Sequence, residues 1–244
     1  MINKTIAKVF DLCFPSKIYC IACDNLIDNT RMYSICDRCI KEIKWNVGFT
    51  CAKCGKALAS DFESDLCYDC QNANHVFGKG YSCATYDGWT KRIVQNMKYK
   101  DKSFISDNIA EIMIDREVDL SEALLIPVPM NIIKKRKRGF DQAELIATYF
   151  SEKAKSQCEK NVLKRRHESV AMSSLGRQER KLNLINDFYV TEYGKEIIKE
   201  RKIVLIDDVY TTGSTANACA ETLLNNGARS VDLFVFASGD NRRV

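Results

Sequence analysis

Nowhere in this chain do 18 apolar residues follow one another, the span a membrane helix needs, so a helical membrane protein is excluded. The early apolar patch, Val9-Phe10-Asp11-Leu12-Cys13-Phe14, is broken by an acid and too short for a secretory signal. The protein is therefore expected in the cytoplasm. No Gly-x4-Gly-Lys-Ser/Thr occurs, which excludes a P-loop nucleotide site. A phosphatase-type Asp-x-Asp-x-Thr is excluded as well, because Val209 stands where its second acid is needed. Strong net charge is also lacking: 37 Lys/Arg against 32 Asp/Glu leave +5, which permits an anionic partner without demanding one. At 244 residues, 45% of them hydrophobic, the chain suits one or two ordinary globular domains.

What the chain has in excess is cysteine, twelve in all. A reducing compartment disfavours disulfides, which leaves metal binding as the better use. Eight of the twelve recur: Cys20, Cys23, Cys36 and Cys39 are followed 31 residues later by Cys51, Cys54, Cys67 and Cys70. Two residues between thiols let a tight turn aim both at one ion, and two such turns complete the four-sulfur shell of structural zinc. Gly55, directly after Cys54, suits that turn, and Asp24 with Asn25 serve in the first copy. Two structural zinc ions are expected, holding together a segment too short to bury much core. The 31-residue offset favours one site per copy, with cross-bracing between copies as the alternative. His75 is read as a surface or core residue, and Cys13, Cys83, Cys158 and Cys219 as small core residues. Between Cys20 and Cys70 six Lys/Arg face eight Asp/Glu, so these ribbons are not expected to grip nucleic acid.

Near the other end, Ile203–Ile206 is a continuous apolar run, as in a strand buried on both faces. From Thr215 the apolar positions Ala216, Cys219, Ala220, Leu223 and Leu224 form a helical stripe that stops at Asn226-Gly227, and Val231–Ala237 reads as another strand. The loop of this β-α-β unit lies at a strand's carboxyl end and a helix's amino end, where free N–H groups cradle phosphate. Gly213 permits close approach, while Thr211, Thr212, Ser214 and Thr215 add donors. Asp207 and Asp208 are unsuited to phosphate itself. They suit a pair of ribose hydroxyls, or the water shell of magnesium, beside it. In the middle, apolar Leu124–Ile126 leads into Pro127-Val128-Pro129, a stiff exit from a strand. Lys134–Arg138 follows, then Asp141 and Glu144 as a capping box for a helix through Phe150.

Val204-Leu-Ile-Asp-Asp-Val-Tyr-Thr-Thr-Gly-Ser-Thr215 resembles the phosphoribosyl pyrophosphate motif of type I phosphoribosyltransferases. The resemblance implies ribose binding by Asp207 and Asp208, the catalytic pair, and 5′-phosphate binding by Thr211, Thr212, Gly213, Ser214 and Thr215. Purine-salvage members carry an acid where Thr211 stands, so a purine-base acceptor is not implied. Pro-Val-Pro, the basic run and Arg138-Gly-Phe-Asp-Gln-Ala-Glu144 resemble the ComF/GntX family, with Asp141 for its usual Asn. Tyr86-Asp-Gly88, Met97-Lys-Tyr99, Arg180-x-x-Asn183 and Phe188 add to the likeness, while Ser169-Val-Ala-Met172 departs from its Thr-x-x-Gln.

This family resemblance implies an N-terminal helix and double zinc ribbon over 1–75. A type I phosphoribosyltransferase-like domain over 76–244 would follow, an α/β fold whose parallel sheet carries helices on both faces. It also implies that Pro127, Val128, Pro129 and Met130, with Arg138, hold pyrophosphate, and that magnesium accompanies the phosphoribosyl pyrophosphate. A phosphoribosyltransferase linked to DNA uptake in natural transformation is the expected function, with single-stranded DNA and competence-machinery proteins as partners. A non-catalytic single-stranded DNA-processing adaptor on the same fold is the alternative. Lys134–Arg138 and residues 160–181, with seven Lys/Arg against two acids, form the basic face, which suits pyrophosphate or DNA.

Overall fold

A computed structural model describes residues 18–99, 102–120, 122–166 and 187–240. The expected N-terminal helix, Cys13, the stretch Ser169–Met172 and the Arg180-x-x-Asn183 element lie outside the described residues, as does most of the second basic cluster.

Two short helices, α1 (Asp37–Glu42) and α2 (Tyr68–Gln71), each begin directly after the third cysteine of a repeat. There follow β1 (Gly80–Thr85), α3 (Gly88–Tyr99), α4 (Ile105–Ile114), β2 (Leu124–Pro127), α5 (Ile132–Arg138) and α6 (Gln142–Ala154). The chain ends with β3 (Leu163–Arg165), β4 (Phe188–Val190), α7 (Glu192–Ile198), β5 (Lys202–Tyr210), α8 (Ser214–Leu224) and β6 (Ser230–Ser238). β1, β6, β5 and β2 form one sheet in that order with every pairing parallel, while β3 and β4 pair antiparallel apart from it. No helix among the described residues is long and apolar enough to cross a membrane.

The apolar runs are continuous because both faces of the sheet are covered. Val204, Ile206, Phe234 and Phe236 pack against α3, α4 and α6 on one face. Ile203, Leu205, Leu233 and Val235 pack against α8 on the other. The cysteine repeats divide in the same way: Cys20, Cys23 and Cys39 join the first core, and all four ligands of the second copy join the other. The segment between the repeats runs along the open edge of β1. Trp45 pairs with Ala84, the Asn46 N–H donates to the Cys83 carbonyl at 2.9 Å, and the Thr85 N–H donates to the Lys44 carbonyl at 2.8 Å. That covers a strand edge which would otherwise be free to pair with another chain.

β5 runs on past Ile206 to Tyr210, because Asp207, Val209 and Tyr210 still find partners in Val235, Ala237 and Ser238 of β6. α6 likewise continues past Phe150 and stops at Lys155, whose φ is 51°. Cys83 and Cys219 are buried as core residues, and Cys158 lies half-buried in a bridge to Leu125.

Candidate functional site

Each cysteine repeat closes on itself. Cys20, Cys23, Cys36 and Cys39 gather with their sulfurs within 4.8 Å of one another, and so do Cys51, Cys54, Cys67 and Cys70, which excludes cross-bracing. Zinc–sulfur bonds of about 2.3 Å in a tetrahedron set sulfurs about 3.8 Å apart. The Cys23–Cys36 and Cys54–Cys67 sulfurs stand at 3.8 and 3.6 Å. The repeat extends to the backbone. Cys36 N–H donates to Cys20 Sγ, and Cys67 N–H to Cys51 Sγ, each at 3.3 Å. The knuckle residue is left-handed in both copies, with φ of 63° at Asp24 and 74° at Gly55. Only the second requires glycine on space as well, since a β-carbon at 55 would fall 2.7 Å from the Gly80 carbonyl oxygen. The two clusters are consistent with two structural zinc sites. His75 is not among the ligands; its Nε2 lies 3.3 Å from the Tyr210 hydroxyl and its ring stacks on Phe77.

A second site forms where the parallel strands end. The loop from Tyr210 into α8 lines a pocket with Asp207, Thr211, Thr212, Gly213, Ser214 and Thr215. Gly213 caps α8 with φ 78°, and Thr212 and Ser214 hydroxyls lie 3.0 Å apart at its mouth. Asp207 Oδ1 accepts the Asp208 N–H at 2.8 Å. Burial first, and the neighbouring Asp208 second, hold the Asp207 carboxyl well above the usual carboxylate range. Asp208 is buried and ion-paired to Lys98 of α3. Burial works against the Lys98 charge, yet the Asp208 carboxylate carries its pKa above the ordinary value. Lys98 is thus the cation that two adjacent acids call for. It lies in the Met97-Lys-Tyr99 stretch, where nothing in the sequence assigned it a role.

Pro127, Pro129 and Met130, at the end of β2, line a neighbouring pocket with Lys135, Asp141, Lys160, Lys164, Arg165 and Tyr189. Asp141 caps α6 as its position suggested, accepting the Glu144 N–H at 3.3 Å. Its other oxygen accepts the Met130 N–H at 3.0 Å, so the cap also fixes the Pro-Val-Pro exit, a link with no local sequence signal. Glu144 does not complete a capping box but pairs with Lys135 at 2.7 Å. Arg138 stacks on the exposed ring of Tyr99, which places it beside the residue that follows Lys98. The structure thus gathers Asp207 with the loop residues in one pocket and Pro127, Pro129 and Met130 in another, while Val128 is buried in the core and Asp208 faces Lys98. Arg138 lies toward α3.

Residues 9–71 match the double zinc ribbon domain, and residues 116–244, just over half of the chain, match the phosphoribosyl transferase domain. The chain belongs to the phosphoribosyl transferase domain family. Its relatives carry the ComF and YhgH names. Competence protein F of Haemophilus influenzae is 26% identical over 212 residues, covering 83% of this chain and 90% of that protein. Competence protein ComFC of Bacillus subtilis is 22% identical over 245 residues, covering 89% and 94%. DNA utilization protein YhgH of Escherichia coli K12 is 24% identical over 208 residues, covering 82% and 87%. A solved glutamine phosphoribosylpyrophosphate amidotransferase from B. subtilis superposes at a TM-score of 0.39 and 13% identity over 55% of this chain and 26% of that one, too low to carry an argument. For a phosphoribosyl transferase domain, the sheet's carboxyl edge is where a ligand is expected, and both pockets open there.

Proposed function

We propose that this protein binds phosphoribosyl pyrophosphate at the carboxyl edge of its sheet and acts as a cytoplasmic phosphoribosyltransferase of the ComF type, linked to DNA uptake. The observation that carries this reading is the passage from the end of β5 into α8, where Asp207, the hydroxyls of Thr211, Thr212, Ser214 and Thr215 and a left-handed glycine line one pocket. The 5′-phosphate lies against Thr211–Thr215, where the helix's first N–H groups are free to bind it. Asp207 and Asp208 take the ribose hydroxyls, and Pro127–Met130 with Arg138 take the pyrophosphate. Magnesium carried with the ligand would neutralise charge on that pyrophosphate. The domains divide near residue 75, with the ribbons as structural supports. Titration calorimetry with phosphoribosyl pyrophosphate and magnesium tests this directly, and no heat of binding to the parent protein would overturn it.

One observation favours a second reading. Lys134, Arg136 and Lys137 are exposed on α5, beside a pocket holding Lys160, Lys164 and Arg165. A non-catalytic adaptor for single-stranded DNA, working with competence-machinery proteins, would use that surface. Binding of phosphoribosyl pyrophosphate without release of pyrophosphate, for any acceptor including DNA, would favour the adaptor.

A further inference from the structure

Lys56 is among the largest fully buried side chains of the protein, at 2% exposure. Its Nζ lies 2.5 Å from Asp69 Oδ2 and 5.5 Å from the ring centre of Tyr210. Both members of the ion pair belong to the second cysteine cluster. Lys56 stands two residues after Cys54, and Asp69 lies between Cys67 and Cys70. The Tyr210 ring in turn lies against the phosphate loop, since a β-carbon at Gly213 would fall 2.5–2.8 Å from its hydroxyl and ring atoms. Contact therefore runs without a break from the second cluster, through Lys56, to the loop.

The ribbon itself does not require this lysine. The first copy offers the comparison, because positions 31 residues earlier hold Asn25 and Arg38, both exposed. The knuckle is the same in the two copies: the Cys20 N–H donates to the Asn25 carbonyl at 2.8 Å, and the Cys51 N–H to the Lys56 carbonyl at 2.7 Å. Nor does burying an ion pair gain stability over apolar packing, since desolvation offsets the attraction. What a buried pair does supply is a fixed position for the group above it.

We propose that Lys56 is a positioning residue. With Asp69 and Tyr210 it couples the second cysteine cluster to the loop Thr211–Thr215, so that metal in the cluster and an anion in the loop favour one another. Such coupling is reciprocal by linkage. The coupling itself needs only the contacts above; that the anion is phosphoribosyl pyrophosphate rests on the function proposed here.

Two measurements on the full, zinc-loaded chain test it without any ligand. Amide hydrogen exchange reads the loop, and chelator-driven alkylation, followed peptide by peptide, reads each cysteine cluster. In Lys56→Met with both ions retained, residues 211–215 should exchange at least about fivefold faster, the low end for coupled sites, while residues 21–36 keep the parent rate. In Tyr210→Leu, the Cys51–Cys70 cluster should become alkylated at least about fivefold faster and the Cys20–Cys39 cluster at the parent rate. Parent-like loop exchange in Lys56→Met, or parent-like alkylation in Tyr210→Leu, would overturn the proposal. If Lys56→Met sheds its second zinc, Tyr210→Leu decides alone, because that residue lies outside the ribbon. In the parent, phosphoribosyl pyrophosphate with magnesium should slow alkylation of the second cluster. A parent that binds none of it overturns the proposed function and leaves the coupling to the two variants.

Discussion

At Gly213 one added carbon has no room. The φ of 78° already disfavours a side chain, and the Tyr210 ring fills the space a β-carbon would take. Gly213→Val is therefore expected to cost about 1–3 kcal/mol in left-handed strain alone. It should also abolish phosphoribosyl pyrophosphate binding, as thermal unfolding and calorimetry would show. The reason differs from the one visible in the loop's composition: the obstacle is Tyr210 as well as the ligand. The two acids make a contrasting pair. Asp207 holds its proton more tightly folded than unfolded, so its contribution to stability falls as pH rises above the ordinary carboxylate pKa, and at neutral pH burial of this carboxyl costs the fold. Asp207→Asn should raise the melting temperature at pH 7 while weakening binding of phosphoribosyl pyrophosphate. Asp208→Asn should weaken binding too, but it strips Lys98 of its counter-charge. A loss of about 2–3 kcal/mol is expected, below that of a fully dry pair because 19% of the Lys98 side chain is exposed. If both Asn variants shift the melting temperature in the same direction, the assignment of roles is wrong.

Among the elements, the start of α6 carries a double duty. Asp141 caps the helix with one oxygen and holds the Met130 N–H with the other. Asp141→Ala should cost about 1–2 kcal/mol, as for a lost N-cap, and should also weaken binding through the freed Pro-Val-Pro turn. Asp141→Asn keeps an acceptor for the cap and should recover most of the stability, measured by denaturant unfolding. The ribbons allow a cleaner count. Elemental analysis should find two zinc ions per chain; Cys20→Ser and Cys51→Ser should each destabilise only the ribbon that holds it, while Cys83→Ser should leave the metal in place. Finding no zinc, or iron instead, would sink that assignment.

On the scale of the molecule, the two ribbons brace the sheet from opposite faces and meet around β1. The first also reaches α3, where the Asn96 side-chain amide donates to the Ile21 carbonyl at 2.9 Å, two residues before Lys98. The second reaches the loop Thr211–Thr215 through Lys56 and Tyr210. The surface that suits DNA is α5 and the adjoining pocket that holds Lys160, Lys164 and Arg165. Lys135 is paired with Glu144 and Arg138 is stacked on Tyr99, so the outer residues Lys134, Arg136 and Lys137 are the ones to remove. Affinity for single-stranded DNA should fall with salt at a log–log slope of roughly −0.7 per phosphate contacted, and Ala at these three positions should flatten it. Saturating phosphoribosyl pyrophosphate should compete with the DNA. An unchanged slope in the triple variant would move the DNA surface elsewhere.

The cysteine spacing and the strand–loop–helix passage at Ile203–Leu224 are local matters. Bond geometry limits what two residues between thiols can do, and hydrophobic periodicity records which side of an element is buried, so both could be read from the chain alone. The 31-residue offset favoured one ion site per copy without excluding cross-bracing, and the gathered sulfurs decide for one site per copy. Nothing local indicated that Lys98 would meet Asp208, that Lys56 would lie beneath Tyr210, or that Asp141 would hold Met130. The first two unite residues more than a hundred positions apart, and they meet because the sheet order places β1 beside β6 and β6 beside β5. Even the length of β5 was settled by its partner, since Asp207–Tyr210 has no strand-like pattern of its own and stays extended because β6 continues alongside it.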